Sequence, residues 1–227
     1  MSQRCGLWGV CLSCLSLGTV VAPVERMPVA SDLISPALTP AIAQAADWKA
    51  FRGRGVELWL PNYYRGGSPS AVDAKGLIAA IKGLGTEFAQ IAQMVENNPS
   101  TFVLFAVDPQ LNATGGVTNV LVAAEQVAPT LTLEGYLTAL ATILPAQIRI
   151  VDRQQVTIQG QPAGRLVTEA SSQGVQVKQL IYVIKQAHTV WTVGYSTAAE
   201  DYLQHLPVFE RSMQTFKGEA EVVISQQ

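Results

Sequence analysis

The last third of the chain carries the pattern that most narrows its fold. Three segments rich in β-branched and aromatic residues follow one another at 163–170, 175–185 and 189–195. Short turns join them, at 172–174 after the first segment and at 186–188 after the second. Strands joined by such short loops pair as antiparallel neighbours, because a parallel pair needs a crossover of a dozen or more residues. The sequence therefore predicts an antiparallel meander.

A helix is predicted directly after this meander. Thr197 and Glu200 have the spacing of a capping box, in which two side chains satisfy backbone N–H groups at a helix start. Pro207 is expected to kink the helix or to begin its second half. Apolar residues recur every three or four positions, as on the buried face of a helix: Leu203, Leu206, Phe209, Met213 and Phe216.

The first half of the chain predicts further strands and a long helix. Six apolar residues in a row at 102–107 are typical of a strand covered on both faces. Alternating polarity at 55–60 predicts a half-buried strand, and the helical spacing of apolar residues over 71–96 predicts a long helix. Segments 117–124 and 148–158 also have the composition of strands.

A second, shorter helix is predicted to begin at Thr132, whose hydroxyl can cap it. Helices that alternate with antiparallel strands imply an α+β fold, a mainly antiparallel sheet flanked by helices as an α-β-α sandwich. With 227 residues, 48% of them hydrophobic, the chain suits one domain. We expect this domain at 47–217, followed by a C-terminal tail at 218–227.

Residues 1–46 are predicted to be a targeting segment. Arg4 precedes an apolar stretch at 6–24, as in the core of a signal peptide. Small residues near Ala43 and Ala45 offer cleavage sites, which would release a soluble exported form. The alternative is an uncleaved N-terminal anchor, because the apolar stretch approaches the roughly 20 residues that span a bilayer. The Pro/Ala-rich segment at 28–40 would then be a spacer.

Composition and motifs argue against several classes of function. A net charge of -2 gives no basic excess to neutralise phosphates, so nucleic acid is not an expected ligand. His188 and His205 have no second metal ligand at a usual spacing, and the chain has no G-x-S-x-G elbow for a serine nucleophile. We therefore predict no catalytic, cofactor-binding or metal-binding residues, and no enzyme.

One short segment is a candidate for partner binding. Tyr63, Tyr64 and Arg65 stand together in a glycine-rich loop, and these residue types are enriched at interface hot spots. The alternative interpretation is that one of the tyrosines packs back over the preceding strand.

The order of the elements resembles the PsbP-like family, the extrinsic photosystem proteins and their bacterial relatives. The similar parts are the strand that ends at Pro61, the turn at 158–165 that leads into the meander, and the closing helix at 209–216. The resemblance covers residues 47–217. It implies an α-β-α sandwich and a non-enzymatic, cyanobacterial-type accessory or assembly protein, exported to the periplasm or thylakoid lumen and associated with a membrane complex such as a photosystem.

Three functional hypotheses follow. The first is a binding protein that docks on a membrane protein complex. The second is a periplasmic carrier of a small molecule or lipid, which would need an apolar cavity of about 300 Å³ or more. The third is an uncharacterised hydrolase, which would need several titratable groups in one cleft.

Overall fold

The computed structural model of this protein describes residues 47–68, 102–111, 116–172 and 175–220, together with seven positions between 78 and 96. The signal-peptide and anchor predictions for 1–46 lie outside the described residues. So does most of the helix predicted over 71–96, although six of the seven described positions there are helical.

Ten strands and two complete helices are present in the described residues. In chain order they are β1 (Trp48–Gly53), β2 (Val56–Pro61), β3 (Arg65–Gly67), β4 (Phe102–Leu111), β5 (Val117–Gln126), α1 (Leu133–Ile143), β6 (Ile148–Ile158), β7 (Gln161–Ser172), β8 (Val175–Gln186), β9 (Thr189–Ala198), α2 (Tyr202–Met213) and β10 (Lys217–Gly218).

The main body is a seven-stranded sheet in the order β3-β4-β5-β9-β8-β7-β6, and each neighbouring pair is antiparallel. The predicted meander is confirmed as β7-β8-β9. Strand β6 extends it through a two-residue turn at Gln159 and Gly160, which both have positive φ, 50° and 77°. Positive φ at both central residues is the twist that a tight hairpin requires.

A second sheet of three strands, β1-β2-β10, lies over one face of the first. Strands β1 and β2 form a hairpin whose turn is Arg54 and Gly55, and β10 pairs with β2 through Lys217 and Gly218. This pairing runs one residue past the boundary predicted at 217. Neither β1, β3 nor β10 was predicted, because short strands give too few residues for a periodic pattern.

Two hydrophobic clusters hold the layers together, one on each face of the large sheet. The first lies under the small sheet and α2, where Tyr195 of β9 stacks on Phe209 with ring centroids 4.9 Å apart. The second lies under α1, and it includes Leu137 and Leu140 of that helix together with Leu166 of β7 and Ile181 of β8. Burying each such side chain contributes about 1.5–3 kcal/mol. The α+β architecture, with helices on both faces of a mainly antiparallel sheet, is confirmed.

Several local predictions are confirmed. Strand β4 is buried on both faces from Phe102 to Asp108, although it continues to Leu111 and passes a register shift. Thr132 caps α1, because its side chain accepts a hydrogen bond from the Gly135 N–H at 3.0 Å.

Two predictions about α2 are wrong. Thr197 lies inside β9 and its hydroxyl hydrogen-bonds Thr118 at 2.8 Å, so it forms no capping box with Glu200. The helix begins later, with Asp201 at its N-cap. In this frame Tyr202 is buried and Leu203 is 77% exposed, so Leu203 does not belong to the buried face. Pro207 lies within a continuous α2.

Candidate functional site

Two surface features are candidates for a functional site. One is the segment at 62–65, which we name the tyrosine loop. The other is an open cleft between α2 and strands β6, β7 and β8, which we name the Arg165 cleft. The sequence pointed to the first feature and missed the second.

The tyrosine loop is anchored by its central residue. The Tyr64 side chain is fully buried in the first hydrophobic cluster, and its N–H donates to the Pro61 carbonyl at 3.1 Å. Burial raises the pKa of the Tyr64 hydroxyl well above its usual value, and that hydroxyl has no hydrogen-bond partner among the described residues. Tyr64 is therefore the residue that packs back on the core, as the alternative interpretation expected for one of the two tyrosines.

Tyr63 and Arg65 remain on the surface on either side of Tyr64. Tyr63 is 37% exposed, and its ring leans on the Tyr64 ring with centroids 5.2 Å apart. The exposed Arg65 guanidinium donates to the carbonyls of Asn62 at 3.1 Å and Tyr64 at 3.3 Å, and its backbone pairs with Val107. Both surface side chains are therefore restrained within the loop, Tyr63 by its ring contact and Arg65 by its hydrogen bonds.

A buried carboxylate lies behind the loop. Asp108 follows Val107 on β4 and is 5% exposed, and one of its oxygens accepts the Gln110 N–H at 2.9 Å. Burial raises the pKa of Asp108, while the nearby His205 of α2 acts in the opposite direction. The His205 ring stacks on Phe209 with centroids 5.7 Å apart, so α2 closes this corner of the core.

The Arg165 cleft has a volume of about 670 Å³. The residues that line it are mostly polar or charged: Asp152, Gln154, Val156, Thr157, Ile158, Arg165, Tyr182, Glu210, Arg211 and Gln214. A lipid carrier would need an apolar lining, so this cleft does not have the character that the carrier hypothesis expected.

Arg165 is the centre of the cleft's charge network. Its guanidinium donates to Asp152 on β6 and to Glu210 on α2, each at 3.1 Å, and its side chain is only 13% exposed. Burial lowers the pKa of Arg165, but hydrogen bonds to Tyr182 and Glu210 outweigh it and leave the pKa above its usual value. The guanidinium is therefore a permanent cation that both carboxylates share.

Two buried tyrosines border this network. Burial raises the pKa of both Tyr182 and Tyr202. Tyr182 interacts with Arg165 through its hydroxyl, and the Tyr202 hydroxyl has no hydrogen-bond partner within the described ranges. The Lys178 ammonium lies over the Tyr202 ring, 5.0 Å from its centroid.

The sequence could not point to the Arg165 cleft, because its residues come from separate elements. Asp152 and Arg165 are 13 residues apart, and Arg165 and Glu210 are 45 apart. A weak signal was available in the inward-facing Arg165, since an arginine is seldom buried unless it is paired.

The predicted absences concern only part of the chain. His188 lies in the β8-β9 turn and is exposed. In the described segments no three His, Cys, Asp or Glu side chains come together as a possible metal site. Across the same segments, no helix has both the length and the apolar composition needed to cross a bilayer.

Sequence comparisons identify no family for this chain. No family model matches it, and no curated protein shows significant sequence similarity to it.

Among solved structures the chain has loose resemblances. CyanoP, the cyanobacterial PsbP of Synechocystis sp. PCC 6803, is 14% identical with a TM-score of 0.47, and the match covers 82% of this chain and 100% of that one. LpqN of Mycobacterium tuberculosis, involved in cell envelope biogenesis, is 12% identical with a TM-score of 0.43, covering 75% and 89%. PA94 of Pseudomonas aeruginosa, a putative regulator, is 16% identical with a TM-score of 0.42, covering 46% and 75%. The architecture described above rests on the strand pairing of this chain alone.

Proposed function

We propose that this chain is a non-catalytic accessory protein that is exported and docks on a membrane protein complex through the tyrosine loop. The observation that carries the proposal is that Tyr63 and Arg65 both lie on the surface and are both restrained by contacts within the tyrosine loop. Tyrosine and arginine are enriched among the residues that dominate binding energy at protein interfaces. Both are held in place before any partner arrives, so little conformational entropy remains to be lost on binding.

The charge around the loop defines the kind of partner surface. Burial lowers the pKa of Lys49 of β1, and repulsion by the nearby Arg65 lowers it further. Two neighbouring cations beside a half-exposed aromatic ring fit a partner that presents carboxylates. The partner site is therefore an acidic patch, possessed by a protein subunit of the complex.

The proposal that the chain is not an enzyme is supported by the Arg165 cleft. Asp152 and Glu210 both bond the same guanidinium, each at 3.1 Å, so an arginine already occupies the space between the two carboxylates. A glycosidase pair instead flanks the bond that is cleaved, with the substrate between the two carboxyl groups. The network has the character of a structural ion-pair cluster.

The test is recovery of the native partner from solubilised membranes. Affinity-tagged Tyr63→Ala and Arg65→Ala proteins are compared with the unmodified chain, with each variant's folding checked by circular dichroism. We expect each substitution to weaken binding by about 1–2 kcal/mol, or roughly 5- to 30-fold. For Arg65→Ala we also expect the affinity to depend less on salt concentration, because the variant lacks one of the cations.

Two matched controls separate docking from general surface effects. Ile143→Ala removes a side chain that is 41% exposed on α1, and Arg149→Ala removes an arginine that is 74% exposed on β6. Both should leave partner recovery unchanged. Unchanged recovery by the Tyr63 and Arg65 variants would instead exclude the tyrosine loop.

A further inference from the structure

We propose that the Arg165 cleft is a second binding site, and that its ligand is a neutral saccharide. The site is separate from the tyrosine loop, because none of the residues that line the cleft belongs to 62–65. The inference does not depend on the docking function proposed above.

The size of the cleft suits a small ligand. Its volume of about 670 Å³ lies within the range of about 300–1,000 Å³ that is typical of ligand sites. Four elements contribute to its wall, namely β6, β7, β8 and α2, so its geometry is set by the sheet and the helix. A site built on rigid elements keeps its polar groups at fixed spacings.

The charges of the lining favour a neutral ligand. Asp152, Glu210, Arg165 and Arg211 contribute two negative and two positive charges, so they sum to zero. Arg165 already binds both carboxylates, and the Arg211 guanidinium lies over the Trp48 ring at 4.6 Å from its centroid. A charged ligand would have to break these existing interactions, and their free energy would be subtracted from its binding. A neutral ligand keeps them intact.

The arrangement of donors and acceptors fits hydroxyl groups. The guanidinium of Arg165 donates while the carboxylate oxygens of Asp152 and Glu210 accept, and these groups lie 3.1 Å apart. A sugar hydroxyl is both donor and acceptor, so neighbouring hydroxyls can bind both kinds of group at once. The amides of Gln154 and Gln214 add one donor group and one acceptor each.

The cleft also offers an apolar surface for the C–H face of a sugar ring. The half-buried Val156 lines it, and Ile158 and Tyr182 contribute small areas because each is only 3% exposed. This small apolar area lies within a mostly polar wall, which matches a ligand with many hydroxyls better than one with a lipid chain.

The test uses the purified full chain and two sets of probes. The neutral set is maltotriose, cellotriose and tri-N-acetylchitotriose, and the ionic set is triglutamate and spermidine. Binding is measured by calorimetry and by amide chemical shifts in nuclear magnetic resonance spectra. We expect at least one neutral trisaccharide to bind and to shift amides of the lining residues, and the ionic probes not to bind there.

Two neighbouring substitutions locate the site. Gln154→Trp places an indole in the cleft, whereas Gln155→Trp places one at the next position of β6, where the side chain points to the other face of the sheet. Both positions are exposed, so both variants should fold. We expect Gln154→Trp to weaken saccharide binding at least tenfold and Gln155→Trp to leave it within about twofold. The inference is overturned if no neutral probe binds, if only an ionic probe binds, or if both tryptophan variants behave alike.

Discussion

The buried hydroxyl of Tyr195 donates a hydrogen bond to the Oγ of Ser212 at 3.1 Å. Ser212 in turn donates to the Trp59 carbonyl at 2.7 Å, and the Trp59 N–H donates to Thr215 at 2.9 Å. Tyr195 belongs to the large sheet and Trp59 to the small one, so the C-terminal end of α2 is hydrogen-bonded to both sheets. Helix α2, which contributes Glu210 and Arg211 to the wall of the Arg165 cleft, is held in place by this chain of hydrogen bonds.

We expect Ser212→Ala to lower the free energy of unfolding by about 1–3 kcal/mol, because it leaves the Tyr195 hydroxyl and the Trp59 carbonyl buried without this partner. Urea unfolding measures the change. Thr142→Ala is the control, since its exposed hydroxyl bonds only the Ala139 carbonyl in its own helix. Equal, small losses in both variants would contradict the role given to Ser212.

Gly164→Ala tests how closely α1 lies on the sheet. A methyl group at Gly164 would lie 2.6 Å and 2.7 Å from the two Leu137 methyls, so the buried Leu137 side chain must shift or α1 must move away from the strand. We expect a loss of roughly 1–3 kcal/mol in the free energy of unfolding, as for other overpacked cores. Gly67→Ala is the matched control, because a methyl group there meets nothing within 4 Å.

The same contact predicts coupling between Gly164 and Leu137. Leu137→Ala alone should cost about 2–5 kcal/mol, because it opens a cavity beneath α1. In the double variant the new methyl group occupies part of that cavity. The stability lost by the double variant should therefore be smaller than the sum of the losses of the two single variants. A double-mutant cycle on the free energies of unfolding gives the coupling, and strictly additive losses would contradict the packing.

Asp108 predicts a pH dependence of stability. Its pKa is raised in the folded chain, mainly by burial, so between the ordinary value of 3.8 and the raised value the folded state binds more protons than the unfolded state. Stability due to this group therefore falls as pH rises through that window, and the cost persists at neutral pH.

Asp108→Asn keeps an oxygen for the Gln110 N–H and removes the charge. We expect it to raise the melting temperature at pH 7, and the gain to vanish below about pH 3.8. A gain that is largest in acid would contradict the sign.

Much of the fold could be predicted from local patterns. The apolar run of β4 and the turns of the meander depend on neighbours in sequence, as does the capping of α1 by Thr132. The start of α2 could not be predicted in this way. Thr197 finds a partner in Thr118, 79 residues away, and that contact keeps it in a strand.

The candidate sites likewise depend partly on local sequence and partly on contacts between distant residues. Tyr63 and Arg65 belong to one short loop segment, so their shared place on the surface could be expected from the sequence. Composition could not decide which tyrosine enters the core, because the two side chains are identical and only the turn between β2 and β3 places Tyr64 in the first hydrophobic cluster. The Arg165 cleft depends on contacts between β6, β7 and α2, which no local pattern contains.

Photo-crosslinking from the tyrosine loop tests the docking function most directly. A benzophenone amino acid replaces Tyr63 in one variant and Ile143 in another, and each is irradiated in native membranes. We predict that position 63 captures a defined subunit of a membrane protein complex, that excess unlabelled chain competes it away, and that position 143 does not capture that subunit. Capture of the same subunit from both positions, or from neither, would contradict docking through this loop.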